Sequence, residues 1–331
     1  PRRSNADRDQ HTQMPAITTT EDRPLRLVTG IFAALIILLV AGIGFELTRQ
    51  SLLSIGKFGI GFWKGTIWDP VSGEFGALPF IWGTMYSAIL AIALSTPVAL
   101  GIAIFINELA PRAFRQPLAY LTELLAAIPS IVYGLWGVFV LVPLVRKLQL
   151  LTPDWLRQVP LFTGPPLGVG MGSAALILAI MVVPFTSSVA REILKGVPLA
   201  QREAAFALGA TRWEAIRVAL GYGRTGIIGA VMLGFGRALG ETMAVTMVIG
   251  NNPQVTTSLF APQYTMAAVI ANEFTEAADE LYLHALIEIG LVLFLITIII
   301  NALSRLLIWS IAKRAQAKPR VIVATNEAVV V

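Results

Sequence analysis

Six long apolar runs constrain this chain more than any other feature. They fall at about 25–48, 79–107, 119–145, 172–195, 225–250 and 281–310. Each exceeds the ~20 residues that a helix needs to cross the hydrocarbon core of a bilayer. Inside a bilayer every backbone polar group must be satisfied internally, and unalternating apolar runs of this length do so as helices. The expectation is an all-α polytopic membrane protein with six transmembrane helices. Composition agrees: 14% of the 331 residues are charged, against about 25% in soluble domains. Pro97, Pro129 and Pro184 lie within the second, third and fourth runs, and each is expected to bend its helix by removing one backbone hydrogen bond.

The same composition excludes several kinds of chemistry. With no cysteine, thiolate nucleophiles and Cys-based metal centres are absent. The two histidines, His11 in a polar tail and His284 near the last run, lack the partners of a metal site and read as solvated or interfacial. A membrane-embedded enzyme is thereby disfavoured. The sequence pI of about 9.7 does not argue for nucleic acid, because Lys and Arg in such a chain mostly report topology. Eighteen of them fall in one alternating set of connecting segments and six in the other, so the positive-inside rule places both termini in the cytoplasm. Residues 1–24 are expected to be a disordered cytoplasmic tail, 25–312 the transmembrane domain and 313–331 a second cytoplasmic tail. The first run is too long for a signal-peptide core and lacks a small-residue cleavage site. Segments 49–78 and 146–171 are rich in Gly, Pro, Trp and Phe, which suggests interfacial packing. Segment 251–280 carries Glu273, Glu276, Asp279 and Glu280 with no Lys or Arg.

The loop at about 196–224 (GVPLAQREAAFALGATRWEAIRVALGYGR) is the most informative soluble stretch. Gln201 to Leu208 reads as a short helix, Gly209 interrupts it, and Thr211 with Glu214 forms a T-x-x-E capping box that starts a second helix. The expectation is two short helices hinged at Gly209, with Leu208, Trp213 and Ile216 available to bury. Read from the residues alone, this is either a docking surface or an ordinary solvated loop.

The second informative stretch is GRALGETMAV at 236–245. Wound as one helix over 225–250, it places Arg237 and Glu241 one turn apart. They share a face with Gly226, Gly229, Ala230, Gly234, Gly236, Gly240 and Ala244, while Ile227, Ile228, Val231, Met232, Phe235, Leu239 and Met243 take the other. Gly236 and Gly240 make a small-residue packing motif. An arginine in mid-membrane costs on the order of 3 kcal/mol, so a role is expected for it. Its planar fork suits two oxygens of an oxyanion. Alternatively, Arg237 and Glu241 neutralise each other or clamp a neighbouring helix.

EAAFALG (Glu203, Ala204, Ala205, Gly209) resembles the EAA motif of ABC-importer permeases, whose loop holds the coupling helix that docks in a cytoplasmic ATPase. The tail departs from the family pattern: the chain reads VALGY at 218–222, without the usual proline, which puts the geometry of the helix's exit in question. GRALGETMAV is also similar to the C-type permease subunits of bacterial phosphate-specific ABC transporters, as are PVALGIAIFINELAP, AAIPSIVYGLWG and ALIEIGLVLFLIT. The resemblance covers most of residues 80–310. It implies a type I ABC-importer permease architecture in a bacterial plasma membrane and translocation of inorganic phosphate. It also implies three kinds of partner: a second permease subunit in a heterodimer, a cytoplasmic ATPase dimer and an extracytoplasmic phosphate-binding protein. Arg237 and Glu241, with the adjoining Thr242 in a weaker role, are the implied substrate-path residues. Glu203, Ala204, Ala205, Gly209, Thr211 and Arg212 are the implied coupling residues. No cofactor is expected on this chain, which has no G-x4-G-K-[ST] loop, so ATP and Mg would belong to the ATPase. The rival readings are the same architecture with sulfate or molybdate as cargo, and an ion channel or ion-coupled carrier.

Overall fold

The computed structural model describes residues 22–316; His11 and most of the two expected tails lie outside them. Two compact units are present, one ending at Arg49 and one beginning at Gln50. The first is dominated by α1 (Asp22–Gln50), an apolar helix of 29 residues with Arg49 in its last turn.

The second unit opens with α2 (Leu52–Phe58), α3 (Gly61–Lys64) and a short antiparallel hairpin, β1 (Trp68–Asp69) with β2 (Glu74–Phe75). The aromatic residues of segment 49–78 are used here for packing. Trp68 meets Phe80 edge to face at 4.8 Å, and Phe75 stacks on Tyr282 at 5.4 Å. Glu273 accepts hydrogen bonds from Trp68 Nε1 at 2.8 Å and from the Tyr282 hydroxyl at 2.6 Å. This acid is therefore part of the aromatic platform, whereas Glu276, Asp279 and Glu280 stay exposed.

The membrane core follows. α4 (Leu78–Ile104) runs into a π-helical turn at Phe105–Leu109, then come α5 (Arg112–Ala127), α6 (Ser130–Trp136), a second π-helical turn at Gly137–Leu141, and α7 (Val142–Leu150). After α8 (Asp154–Arg157) come α9 (Met171–Lys195), α10 (Leu199–Ala207), α11 (Arg212–Leu239), α12 (Met243–Val248), α13 (Met266–Glu273) and α14 (Glu280–Gln316). Among the described residues six helices are long and apolar enough to span: Pro24–Gln50, Leu78–Leu109, Ser130–Leu150, Met171–Lys195, Arg212–Leu239 and Glu280–Ile311. α9 is the central one, with 67% of its most apolar window buried. It packs along α4, where Ser87, Ala88, Ala91, Ser95, Ala99 and Ala103 are buried at helical spacing. Small side chains let the two helices approach where lipid offers no hydrophobic drive. Pro97 and Pro184 lie inside α4 and α9.

Two expected spans are built differently. The run at 119–145 is not one helix. Proline disfavours helical geometry in the residue before it, and Ile128 is extended (φ −64°, ψ 130°) ahead of Pro129. α5 therefore ends at Ala127, and the spanning helix starts afresh at Ser130. The run at 225–250 is displaced as well. The capping box forms as expected: Glu214 accepts from the Thr211 N–H at 2.8 Å, and Thr211 Oγ1 accepts from the Glu214 N–H at 3.4 Å. The helix it starts is not short, however, but is the spanning α11 itself. No proline interrupts residues 212–239, so the turn at Gly209 (φ +81°) leads directly into the membrane.

Candidate functional site

Arg237 lies in the last turn of α11. It is partly buried, with its guanidinium carbon 5.4 Å from the centre of the Phe185 ring on α9. Tyr133 of α6 is within electrostatic reach. The Arg237 Nε is buried and has no hydrogen-bond partner among the described residues. A buried charged donor left in that condition is costly.

The helix stops two residues later. Gly240 closes α11 by donating to the Gly236 carbonyl at 3.4 Å, Glu241 and Thr242 are non-helical, and α12 restarts at Met243. This corrects the expectation that Arg237 and Glu241 sit one helical turn apart on one face. Among the described residues no ion pair joins them, so the mutual-neutralisation alternative has no support. Glu241 Oε1 instead accepts from the Ala244 N–H at 3.4 Å, and the Thr242 hydroxyl donates to the Gly240 carbonyl at 3.4 Å. The expected division of faces is corrected too. Ala230 and Gly234 are buried, but Ile227 and Leu239 are buried with them, because the partner surfaces accept large side chains as well as small ones.

Two spans are thus interrupted, one at Ile128–Pro129 and one at Gly240–Thr242, and their distal halves pack together. A Cβ added at Gly134 of α6 would fall 2.6 Å from Met247 Sδ and 3.1 Å from the Ala244 Cα of α12. The Tyr133 hydroxyl donates to the Leu125 carbonyl at 2.8 Å, spanning the first break. Non-helical backbone at membrane depth is tolerated where protein buries it or where it lines a water-filled cavity. Discontinuous helices build ion and substrate sites in this way.

The other expected site residues fall around the α10–α11 turn. Glu203 and Ala204 are exposed on α10, Ala205 is buried beneath them, Gly209 makes the left-handed turn, and Thr211 and Arg212 start α11. Ile216 is buried, while Phe206, Leu208 and Trp213 stay exposed at 50%, 89% and 52%. His284 sits against the Gln50 carbonyl and 3.8 Å from Glu280. No metal-holding group of His, Asp and Glu occurs among the described residues.

Sequence reasoning missed Tyr133 and Phe185, which carry no signal until α6 and α9 are placed beside Arg237. It also passed over Glu288, the one charged residue in ALIEIGLVLFLIT. Glu288 is 3% exposed beside Ser54 of α2, with no hydrogen-bond partner for its Oε2 among the described residues. Its isolation in an apolar run was the available signal.

The family model for the binding-protein-dependent transport system inner membrane component matches residues 95–315. The phosphate transport system permease protein PstC of Mesorhizobium japonicum is 43% identical over 92% of this chain and 98% of its own length. That of Haemophilus influenzae is 47% identical over 85% and 90%. A probable counterpart in Methanocaldococcus jannaschii is 39% identical over 80% and 86%. Among solved structures, the MetNI methionine ABC transporter in inward facing conformations covers 70% of this chain and 94% of the matched one. Its TM-score is 0.53 at 14% identity, a likeness of fold alone. The chain therefore belongs to the family of binding-protein-dependent transport system inner membrane components, and within it to the PstC permeases, as a membrane-spanning transport component.

Proposed function

We propose that this chain is one permease subunit of an ATP-driven importer that carries inorganic phosphate into the cytoplasm. The observation that carries the reading is Arg237: a cation in the last turn of a helix long and apolar enough to span, beside the break that ends it, with a buried donor and, among the described residues, no ion-pair partner. A guanidinium so placed can hold two phosphate oxygens through parallel charge-assisted bonds. Glu241 lies in the unwound segment, where it can accept a hydrogen bond from protonated phosphate. Fully ionised sulfate has no proton to offer and would meet an acid with nothing to share. Thr242 and Tyr133 complete the polar lining.

The excess of basic residues on one side puts both termini and the α10 end in the cytoplasm of a bacterial cell, and the hairpin end outside. The exposed Phe206, Leu208 and Trp213 beside Glu203 form the surface for a separate ATPase dimer, which holds ATP and Mg. A second permease subunit completes a heterodimeric pore, and an extracytoplasmic phosphate-binding protein delivers cargo at the hairpin end. The assembly calls for no nucleic acid.

Glu241→Gln tests the site. Gln keeps an acceptor but removes the charge, so sulfate should begin to compete with phosphate uptake in vesicles. Uptake that stays both active and as selective as before would remove Glu241 from the mechanism.

A further inference from the structure

We infer that Glu108 is the point through which a displacement of α10 reaches the second span, and hence that the Glu108–Arg202 pair positions that span for transport. The inference rests on α10 being the surface that meets the ATPase. Arg202 projects from α10, and its Nη2 stands 2.7 Å from Glu108 Oε1, with the two side chains only 18% and 16% exposed. The same Nη2 donates to the Leu194 carbonyl at the end of α9, at 2.9 Å. Arg212, the first residue of α11, donates to the Glu108 backbone carbonyl at 3.4 Å. One residue at the end of the second span is therefore held from α10 and α11, and its partner is tied to α9 as well.

Where Glu108 sits matters as much as what it touches. It lies in the π-helical turn Phe105–Leu109 that finishes the span. Such single π turns are a helix's departure from its own register and are frequent at functional positions. A largely buried ion pair is a poor source of net stability, because desolvation offsets the attraction. Its value here is geometric: it fixes which way the π turn faces relative to α10. A push on α10 travels to α11 through the backbone at Gly209 and to α4 through this pair. α4 packs along the central α9 and also touches α11, which carries Arg237.

The test uses the complete importer in proteoliposomes with its binding protein, reading phosphate moved per ATP hydrolysed. Glu108→Gln should lower that ratio by about tenfold, within the range typical of coupling between sites, while the amount of co-purifying ATPase stays constant. The exchange Glu108→Arg with Arg202→Glu should restore much of it. Because the chain has no cysteine, Phe206→Cys in the otherwise unchanged chain reports docking by cross-linking to the ATPase. No cross-link would overturn the docking reading. A cross-link together with an unchanged ratio in Glu108→Gln would overturn this inference alone. So would uptake and hydrolysis falling together in proportion to lost complex, since the pair would then be only structural.

Discussion

Replacing Gly234 with alanine probes how Arg237 is held. Gly234 lies three residues before it on α11, packed against α9. A Cβ there would fall 2.5 Å from Thr186 Oγ1 and 3.0 Å from Val182 Cγ1. Carbon pairs settle at about 3.5–4.0 Å, so Val182 must yield by about 0.5 Å or more. Both neighbours are β-branched, with one strongly preferred χ1 for valine in a helix, and both are 1% exposed; neither can step aside. α11 must then move off α9, carrying Arg237 from Phe185. Overpacking of this kind costs about 1–3 kcal/mol. Among the described residues nothing lies within 4 Å of a Cβ added at Gly221 of the same helix, so Gly221→Ala supplies the helix-propensity gain of about 1 kcal/mol without the clash. The difference between the two variants isolates the packing term. The assay is the apparent melting temperature of the purified assembly together with phosphate uptake. Gly234→Ala should melt below Gly221→Ala and lose uptake. If the two variants behave alike in both, the close approach of α9 and α11 is wrong.

Arg237→Lys keeps the charge but cannot make two parallel bonds, and a hydrogen bond to a charged group contributes about 1.5–3 kcal/mol. Uptake should fall at least about tenfold, and further in Arg237→Gln; equal uptake in all three would remove the oxyanion role. Glu273→Ala strands Trp68 Nε1 and the Tyr282 hydroxyl, each worth about 1–3 kcal/mol when left unpaired. The apparent melting temperature should drop, and by less in Glu273→Gln, which retains one acceptor. Gly209→Ala meets no atom of the described residues within 4 Å but must adopt φ +81°, a strain of about 1–2 kcal/mol. It should weaken co-purification of the ATPase without a matching loss of chain from the membrane.

What was legible in the sequence follows from what is local. The number of long apolar runs and the spacing of Thr211 and Glu214 are properties of neighbours along the chain, and the described residues hold six helices long and apolar enough to span and the capping box. Proline is equally local, yet its consequence is not. Pro97 and Pro184 sit within continuous helices, whereas Pro129 divides α5 from α6, so whether neighbours supply the missing bond decides between a bend and a break. The end of α11 at Leu239 was hidden for the same reason. Gly240 permits a helix or a stop, and GRALGETMAV read in isolation favours the helix, which pairs Arg237 with Glu241. Glu108 and Arg202 stand ninety-four residues apart, and nothing in either neighbourhood announces the other. The lining around Arg237 is non-local in the same way, since Tyr133 and Phe185 become site residues only when α6 and α9 are packed.

The most direct measurement of the central claim is anion-stimulated ATP hydrolysis by the assembly that co-purifies with this chain, reconstituted with its binding protein. Phosphate should stimulate hydrolysis and enter the vesicle, sulfate and molybdate should do neither, and Arg237→Gln should abolish the phosphate response. Stimulation by sulfate or molybdate, or anion flux through the chain without ATP, would contradict the account.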